Sequence, residues 1–173
     1  MPVWYHSTRQ LVTREVRLAK NLERNYPSVA KGPSGIYTAY MNGCQSTCAF
    51  CIIPDDQILL NNDLAYAIWD SSPVVPMHTL VIPRRHAPDF FDLEESELLA
   101  CSDLVKMVKD HLLMLDPTIE GFNLGVNVGT TAGQTVFHCH IHVIPRRPGD
   151  VPYPVGGVRN LIPGKGRYPE SQR

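Results

Sequence analysis

Between Gly133 and Pro145 the chain reads Gly-Gln-Thr-Val-Phe-His-Cys-His-Ile-His-Val-Ile-Pro, with His138, His140 and His142 at every second position. Side chains of a strand alternate between its two faces, so this spacing predicts one strand, Thr135 to Ile144, carrying three imidazoles on one side. Phe137, Cys139, Ile141 and Val143 then share the other side, which is apolar and suited to packing on a helix. A chain built this way needs a sheet with one face closed and the other open to a ligand, because packing alone gives no reason for three adjacent imidazoles.

The flanking segments supply the rest of such a sheet. Leu64 to Trp69 reads as a buried strand stopped by Asp70-Ser71-Ser72-Pro73, and His78 to Ile82 as a second, ending at Pro83. Asp92 can cap a helix with Glu95 reaching back; Leu98, Val105, Leu112 and Leu115 form its apolar stripe, and Asp116-Pro117 ends it. Asn123 to Val128 reads as a further strand, followed by a Gly129–Gly133 turn. Strands mostly adjacent in sequence with one inserted helix predict an α+β fold around an antiparallel sheet. Arg84-Arg85 and Arg146-Arg147 follow strand-ending prolines and are expected to face solvent. Upstream, Ser7, Leu11, Leu18 and Leu22 fit a helix over residues 7–24, broken between Pro27 and Gly35. The organisation is therefore read as an N-terminal helical extension (residues 1–40), a domain (41–150) and an extended, Pro- and Gly-rich tail (151–173).

Composition narrows the function. With 173 residues, a net charge of −1 and a pI of 6.6, nothing points to a dedicated nucleic-acid surface. The Lys/Arg excess of residues 1–35 reads as a solvated helix face. No apolar run nears the roughly 18 residues of a membrane helix, and Met1 to Gln10 lacks a signal-peptide core, so a cytoplasmic location with no membrane partner is expected. Five cysteines, three of them clustered, suit thiols or metal ligands better than disulfides. Cys44-x₃-Cys48-x₂-Cys51 has the spacing of a radical S-adenosylmethionine cluster, but this chain is too short to add the large barrel of those enzymes. Two chemistries use a row of imidazoles. One is a metal site, including a metal-dependent hydrolase; the other is phosphoryl transfer, with one neutral imidazole as nucleophile. The Gly129–Gly133 turn, Gln134 and Thr135 offer donors to an anion and favour phosphate.

The motif Asn127-x-Gly129, Gly133-Gln134-Thr135-Val136 and the three histidines, with Asp70-x-x-Pro73-x-x-Pro76-x-His78-x-Leu80-Val81-Ile82-Pro83-x-x-His86 upstream, resembles the histidine-triad (HIT) superfamily over roughly residues 45–150. The resemblance implies a five-stranded antiparallel sheet with a long helix on one face, and a homodimer. It implies a nucleotide substrate, attacked at its α-phosphorus by His140 through a covalent nucleotidyl-histidine, with His138 and His142 flanking the nucleophile. Asp70 would hold ribose hydroxyls; His78, Asn127, Gln134 and Thr135 would surround the phosphate. No catalytic metal is implied, the cationic work falling to His78 and His142. Gly-Gln-Thr-Val resembles the fragile-histidine-triad branch, which implies hydrolysis of dinucleoside polyphosphates. Asn127 in place of glutamine is more similar to the nucleoside-phosphoramidase branch. The alternative from another class is a non-catalytic nucleotide-binding or zinc-stabilised interaction protein. Family members that pair Cys-x-x-Cys with two histidines imply a structural zinc site of Cys48, Cys51, His86 and His138, against the plainer reading of two small buried hydrophobes.

Overall fold

The structure is a computed structural model and describes residues 47–166. The helix expected over residues 7–24, the 1–40 extension and Cys44 lie outside the described residues. Within them, strands β1 (Leu60–Asn61), β2 (Ala65–Trp69), β3 (Thr79–Pro83), β4 (Gly121–Gly125) and β5 (Ile141–Arg146) form one antiparallel sheet in the order β1-β2-β3-β5-β4. Helix α1 (Glu95–Leu115) crosses the face of β2 and β3. This is the five-stranded α+β arrangement that the resemblance implied. No helix among the described residues is long and apolar enough to cross a membrane.

Register decides which residues face the helix. Ala67 pairs with Val81, Tyr66 with Ile82 and Ile68 with Leu80. Directly opposed residues share a face, so Ala65, Ala67 and Val81 point one way and Tyr66, Ile68, Leu80 and Ile82 the other. The first set is fully buried and small enough for a helix to approach closely; α1 packs on β2 and β3 and buries Leu104, Met107, Val108 and Leu112. The second set packs under Phe50, Ile53 and Ile58 of the segment preceding β1. The Tyr66 hydroxyl donates to the Phe50 carbonyl and ties that segment to the sheet. His142 pairs with Leu80 and Gly125 and so belongs to this second face, away from the helix.

The helix begins two residues later than the Asp92 cap predicts. Glu94 is the cap residue, its N–H donating to the Glu97 carboxylate at 2.9 Å. Glu97 is 4% exposed and also takes two hydrogen bonds from Arg85, at 2.8 and 2.6 Å. Arg85 is thus a structural clasp between the end of β3 and the start of α1, not the free solvent-facing end expected. Arg146 and Arg147 differ from expectation in the same way, gripping Asp150 and Asp116 respectively. Replacing Glu97 with alanine removes the helix cap and leaves Arg85 without its carboxylate. The expected cost is about 2 kcal/mol, read as a lower urea midpoint; a change below about 0.5 kcal/mol would contradict this role.

Candidate active site

Only His142 of the three clustered histidines lies within a strand. The ladder ends at Ile141, and Val136 to His138 form a bend before it, which corrects the strand expected from Thr135. The cause lies in the partner strands. Pro83 has no N–H with which to continue pairing β3 to β5, and β4 stops at Gly125. The segment departs from the sheet and is held instead by the Cys139 N–H, which donates to the Ala87 carbonyl at 2.7 Å. Both sides of it are buried: His138 is 0%, Cys139 1% and His140 7% exposed. Phe137, expected on the packed face, points outward and is 51% exposed.

The bend sends His138 one way and His140 with His142 another. His138 donates its Nε2 proton to the Pro83 carbonyl at 2.9 Å, which leaves the Nδ1 lone pair free. That nitrogen lies 3.4 Å from Cys48 Sγ and 3.6 Å from Cys51 Sγ, and His86 Nδ1 lies 3.4 Å from Cys51 Sγ. The four ligand atoms fall within 4.8 Å of one another. A tetrahedral ion with bonds of about 2.3 Å to sulfur and about 2.05 Å to nitrogen sets those atoms about 3.6 Å apart, so the donor set fits such an ion. Burial, together with the neighbouring His86 and His140 and against the Pro83 contact, pushes His138 down to about 4, the neutral form that a metal ligand requires.

His140 is oriented by its own chain. Its Nδ1 donates to the His138 carbonyl at 2.8 Å, so Nε2 carries the exposed lone pair. Phe50 stands edge-on to this ring, with centroids 5.2 Å apart, and shields it from the other side. His142 lies 5.2 Å from His140 between ring centroids. Its Nδ1 is 3.0 Å from His78 Nε2, and His78 Nδ1 is 3.2 Å from Asp70 Oδ2. The arrangement satisfying both contacts has His142 donating to His78 and His78 donating to Asp70, with the His142 Nε2 facing outward. Asp70 is anchored in turn, its Oδ1 accepting the Ser72 N–H at 2.8 Å.

Burial lowers both His78 and His142, the latter to about 4 with help from the neighbouring His140 and His78, although the Asp70 charge pulls each upward. In the free protein both rings are therefore neutral near pH 7, whereas the family resemblance implied cations. A cationic His142 requires an anion beside it, and a phosphate is such an anion.

Two clefts open on this face of the sheet. The first, about 770 Å³, has His140, His142, Asp70 and Thr135 at its polar end, with Phe50 and Ile68 among its apolar walls. The second, about 560 Å³, lies beyond His142 and is bounded by His78, Asn127 and the tail. Gln134 borders neither. It is 4% exposed, accepting from the Gly129 N–H at 2.8 Å and donating to the carbonyls of Pro88 and Val136, so it shapes the loop carrying Thr135. Phe50 and Met77 were missed at the sequence level. Phe50 had a signal, lying inside the Cys48-x-x-Cys51 motif. Met77 had none: it adopts φ 70°, a left-handed conformation rare for a non-glycine residue, immediately before His78.

The lowered His78 and His142 make stability depend on pH. The unfolded chain binds more protons than the folded one wherever a folded pKa lies below 6.5, so stability falls as pH drops below 6.5 toward 4. For His142 the expected loss is about 2 kcal/mol between pH 6.5 and 5. His142→Gln should flatten that part of the urea-unfolding profile; an unchanged slope would assign the dependence to other groups.

Comparison with known proteins agrees with this architecture. The HIT domain family model matches residues 53–149. An uncharacterised HIT-like protein of Mycoplasma genitalium is 42% identical over 106 residues, 58% of this chain and 74% of that protein. The bis(5'-nucleosyl)-tetraphosphatase of Schizosaccharomyces pombe is 36% identical over 96 residues, 54% of this chain and 51% of that enzyme. Among solved structures, a zinc-bound histidine triad family protein from Mycobacterium smegmatis is 31% identical with a TM-score of 0.55, over 60% of this chain and 78% of that one. With the family model spanning more than half of the chain, this chain belongs to the HIT family.

Proposed function

We propose that the protein is a nucleotide hydrolase or nucleotidyl transferase in which His140 Nε2 attacks the α-phosphorus and forms a covalent nucleotidyl-histidine. The observation that carries this reading is the hydrogen bond from His140 Nδ1 to the His138 carbonyl, which leaves a bare, nucleophilic nitrogen at the floor of the 770 Å³ cleft. The nucleoside occupies that cleft between Phe50 and Ile68, with Asp70 and Thr135 near the ribose and phosphate. In the first step the Nε2–P bond forms as the bond from phosphorus to the leaving group breaks. A proton on His142 Nε2, taken up as the phosphate binds, passes to the leaving group. In the second step water attacks phosphorus, its proton returns to His142, and the N–P bond breaks. Asp70 steadies the positive charge of His142 through His78.

Dinucleoside polyphosphates are the substrate class that the name of the S. pombe relative supports. Nucleoside phosphoramidates are the second class, supported by Asn127 and by its place on the cleft beyond His142. Zinc at Cys48, Cys51, His86 and His138 is supported by the ligand spacing; it would cross-link the Phe50 segment to the nucleophile's segment and take no part in the chemistry. Exposed Leu99 and Leu113, two turns of α1 either side of Lys106, support a homodimer through that face.

His140→Asn is expected to lower AMP or GMP release by at least about 10³-fold, while wild type quenched in turnover yields an acid-labile, alkali-stable nucleotidyl-protein. Retained turnover in the variant would assign the nucleophile elsewhere, and tight nucleotide binding without any release would favour a binding module. Cys48→Ser with Cys51→Ser should abolish bound zinc and lower the melting temperature by at least about 5 °C; unchanged metal content would remove the proposed ligand set.

A further inference from the structure

Two of the chain's 3-10 turns stand at opposite edges of the sheet. Gly157–Leu161 gives the tail, expected to be extended and irregular, a folded stretch against β4. Asp55–Gln57 lies immediately ahead of β1 and contributes two side chains, Asp56 and Gln57, to the first cleft. The backbone of this second turn is fixed. The Gln57 N–H donates to the Pro54 carbonyl at 3.0 Å, and the Ile58 N–H to the Asp55 carbonyl at 3.2 Å. Ile53 and Ile58 on either side pack onto Tyr66, Ile68, Leu80 and Ile82, so the turn is pinned at both ends.

Asp56 and Gln57 are exposed at the rim, and neither side chain has a hydrogen bond or ion pair among the described residues. No Lys or Arg is among the described residues lining the cleft, so the Asp56 carboxylate meets no fixed cation there. β1 and β5, the strand of His142, are three strand spacings apart, roughly 14 Å, with β2 and β3 between them. A nucleotide laid along the cleft with its phosphorus beside His140 and His142 points its base toward Asp56 and Gln57. A carboxylate only accepts, through two oxygens side by side, whereas a glutamine amide also donates. The two adjacent side chains thus offer a pair of acceptors and a donor. Of the common bases, guanine alone carries two neighbouring donors, N1–H and the 2-amino group, next to an acceptor, its 6-oxo group. Adenine would set its N1 lone pair against the carboxylate, leaving acceptors facing one another at a cost in binding.

We propose that the first cleft selects guanine over adenine, the Asp56 carboxylate accepting the N1 and 2-amino protons and the Gln57 amide donating to the 6-oxo group. This rests on the nucleotidyl-transfer reading above and names the base of the nucleotide that is transferred. The two contacts to the carboxylate are charge-assisted and two-pronged, the geometry in which such hydrogen bonds discriminate best.

The test compares kcat/KM for matched guanosine, inosine and adenosine substrates, each supplied as the 5'-phosphoramidate and as the symmetric dinucleoside triphosphate. Inosine keeps N1–H and the 6-oxo group but lacks the 2-amino group. Wild type should favour guanosine over adenosine by about 10-fold or more, with inosine between them. Asp56→Asn exchanges one acceptor for a donor, which matches the adenine edge, and should shift the ratio toward adenosine by about 10-fold. Gln57→Ala should lower guanosine and inosine together relative to adenosine. Asp55→Asn, beside the pair but outside the cleft lining, should leave the ratio as it is. Titration calorimetry with GMP, IMP and AMP reads the same order without turnover. Equal rates and affinities for the three bases, a preference for adenine, or an Asp56→Asn variant that slows all substrates alike would overturn the inference and leave nucleotidyl transfer standing. Binding of GMP about 10-fold more tightly than AMP, with no turnover of any substrate, would uphold the base assignment and overturn the transfer reading. Neither binding nor turnover would overturn both.

Discussion

Two backbone carbonyls determine what the clustered imidazoles can do. The Pro83 carbonyl takes the Nε2 proton of His138, and the His138 carbonyl takes the Nδ1 proton of His140. The first contact turns a lone pair toward two cysteines, the second turns one toward a cleft. Opposite tautomers two residues apart thus turn one lone pair toward a candidate ligand set and the other toward a cleft without any difference in side-chain chemistry. The Pro83 carbonyl is available because proline ends the β3–β5 ladder. Had the strands continued pairing, that oxygen would face a backbone N–H instead of a ring. The end of a strand is therefore what differentiates the histidines.

The fold was largely legible because its signals were local and periodic. The apolar runs at 64–69 and 78–83 and the stripe from Leu98 to Leu115 each place their elements to within a residue or two. The site was legible in identity but not in arrangement. Alternation correctly placed His140 and His142 on one side, yet it extended the strand through Thr135, where the described residues supply no partner strand. A period-2 pattern reports which side chains want different environments; it says nothing about whether a neighbouring strand is present to pair. Phe137 shows the consequence, an apolar residue left facing outward by the bend. Gln134 was read as a phosphate donor because a lone amide carries no record of its partners, and in the fold three backbone groups claim it. Arg85, Arg146 and Arg147 were misjudged for the same reason, the carboxylate partners of their guanidinium groups lying between 4 and 31 residues away.

The electrostatics of the cluster follow from crowding. Three rings, His78, His140 and His142, share a half-buried volume with one carboxylate, Asp70, whose charge acts on His78 directly and on His142 more weakly at 4.0 Å. Burial, joined at His142 by the neighbouring rings, outweighs that single charge, so His78 and His142 rest neutral near pH 7. Neutral neighbours suit the nucleophilic role proposed for His140, because a cation beside that ring would oppose attack on an electrophile. Neutrality also makes acquisition of charge at His142 conditional on an incoming anion, which would tie the acid role proposed for that ring to substrate occupancy instead of bulk pH.

The tail contributes to both stability and shape through one contact. Among the described residues β4 pairs on one side only, with β5, and exposed edge strands invite unwanted pairing unless something shields them. The 3-10 helix at Gly157–Leu161 rests against β4, anchored by the Arg146–Asp150 pair, and in covering it becomes the outer wall of the second cleft. None of the contacts that fix the imidazole tautomers involves a residue of this loop; they come from Pro83, His138, His78 and Asp70. Side chains on the loop can therefore change without disturbing the orientation of His140.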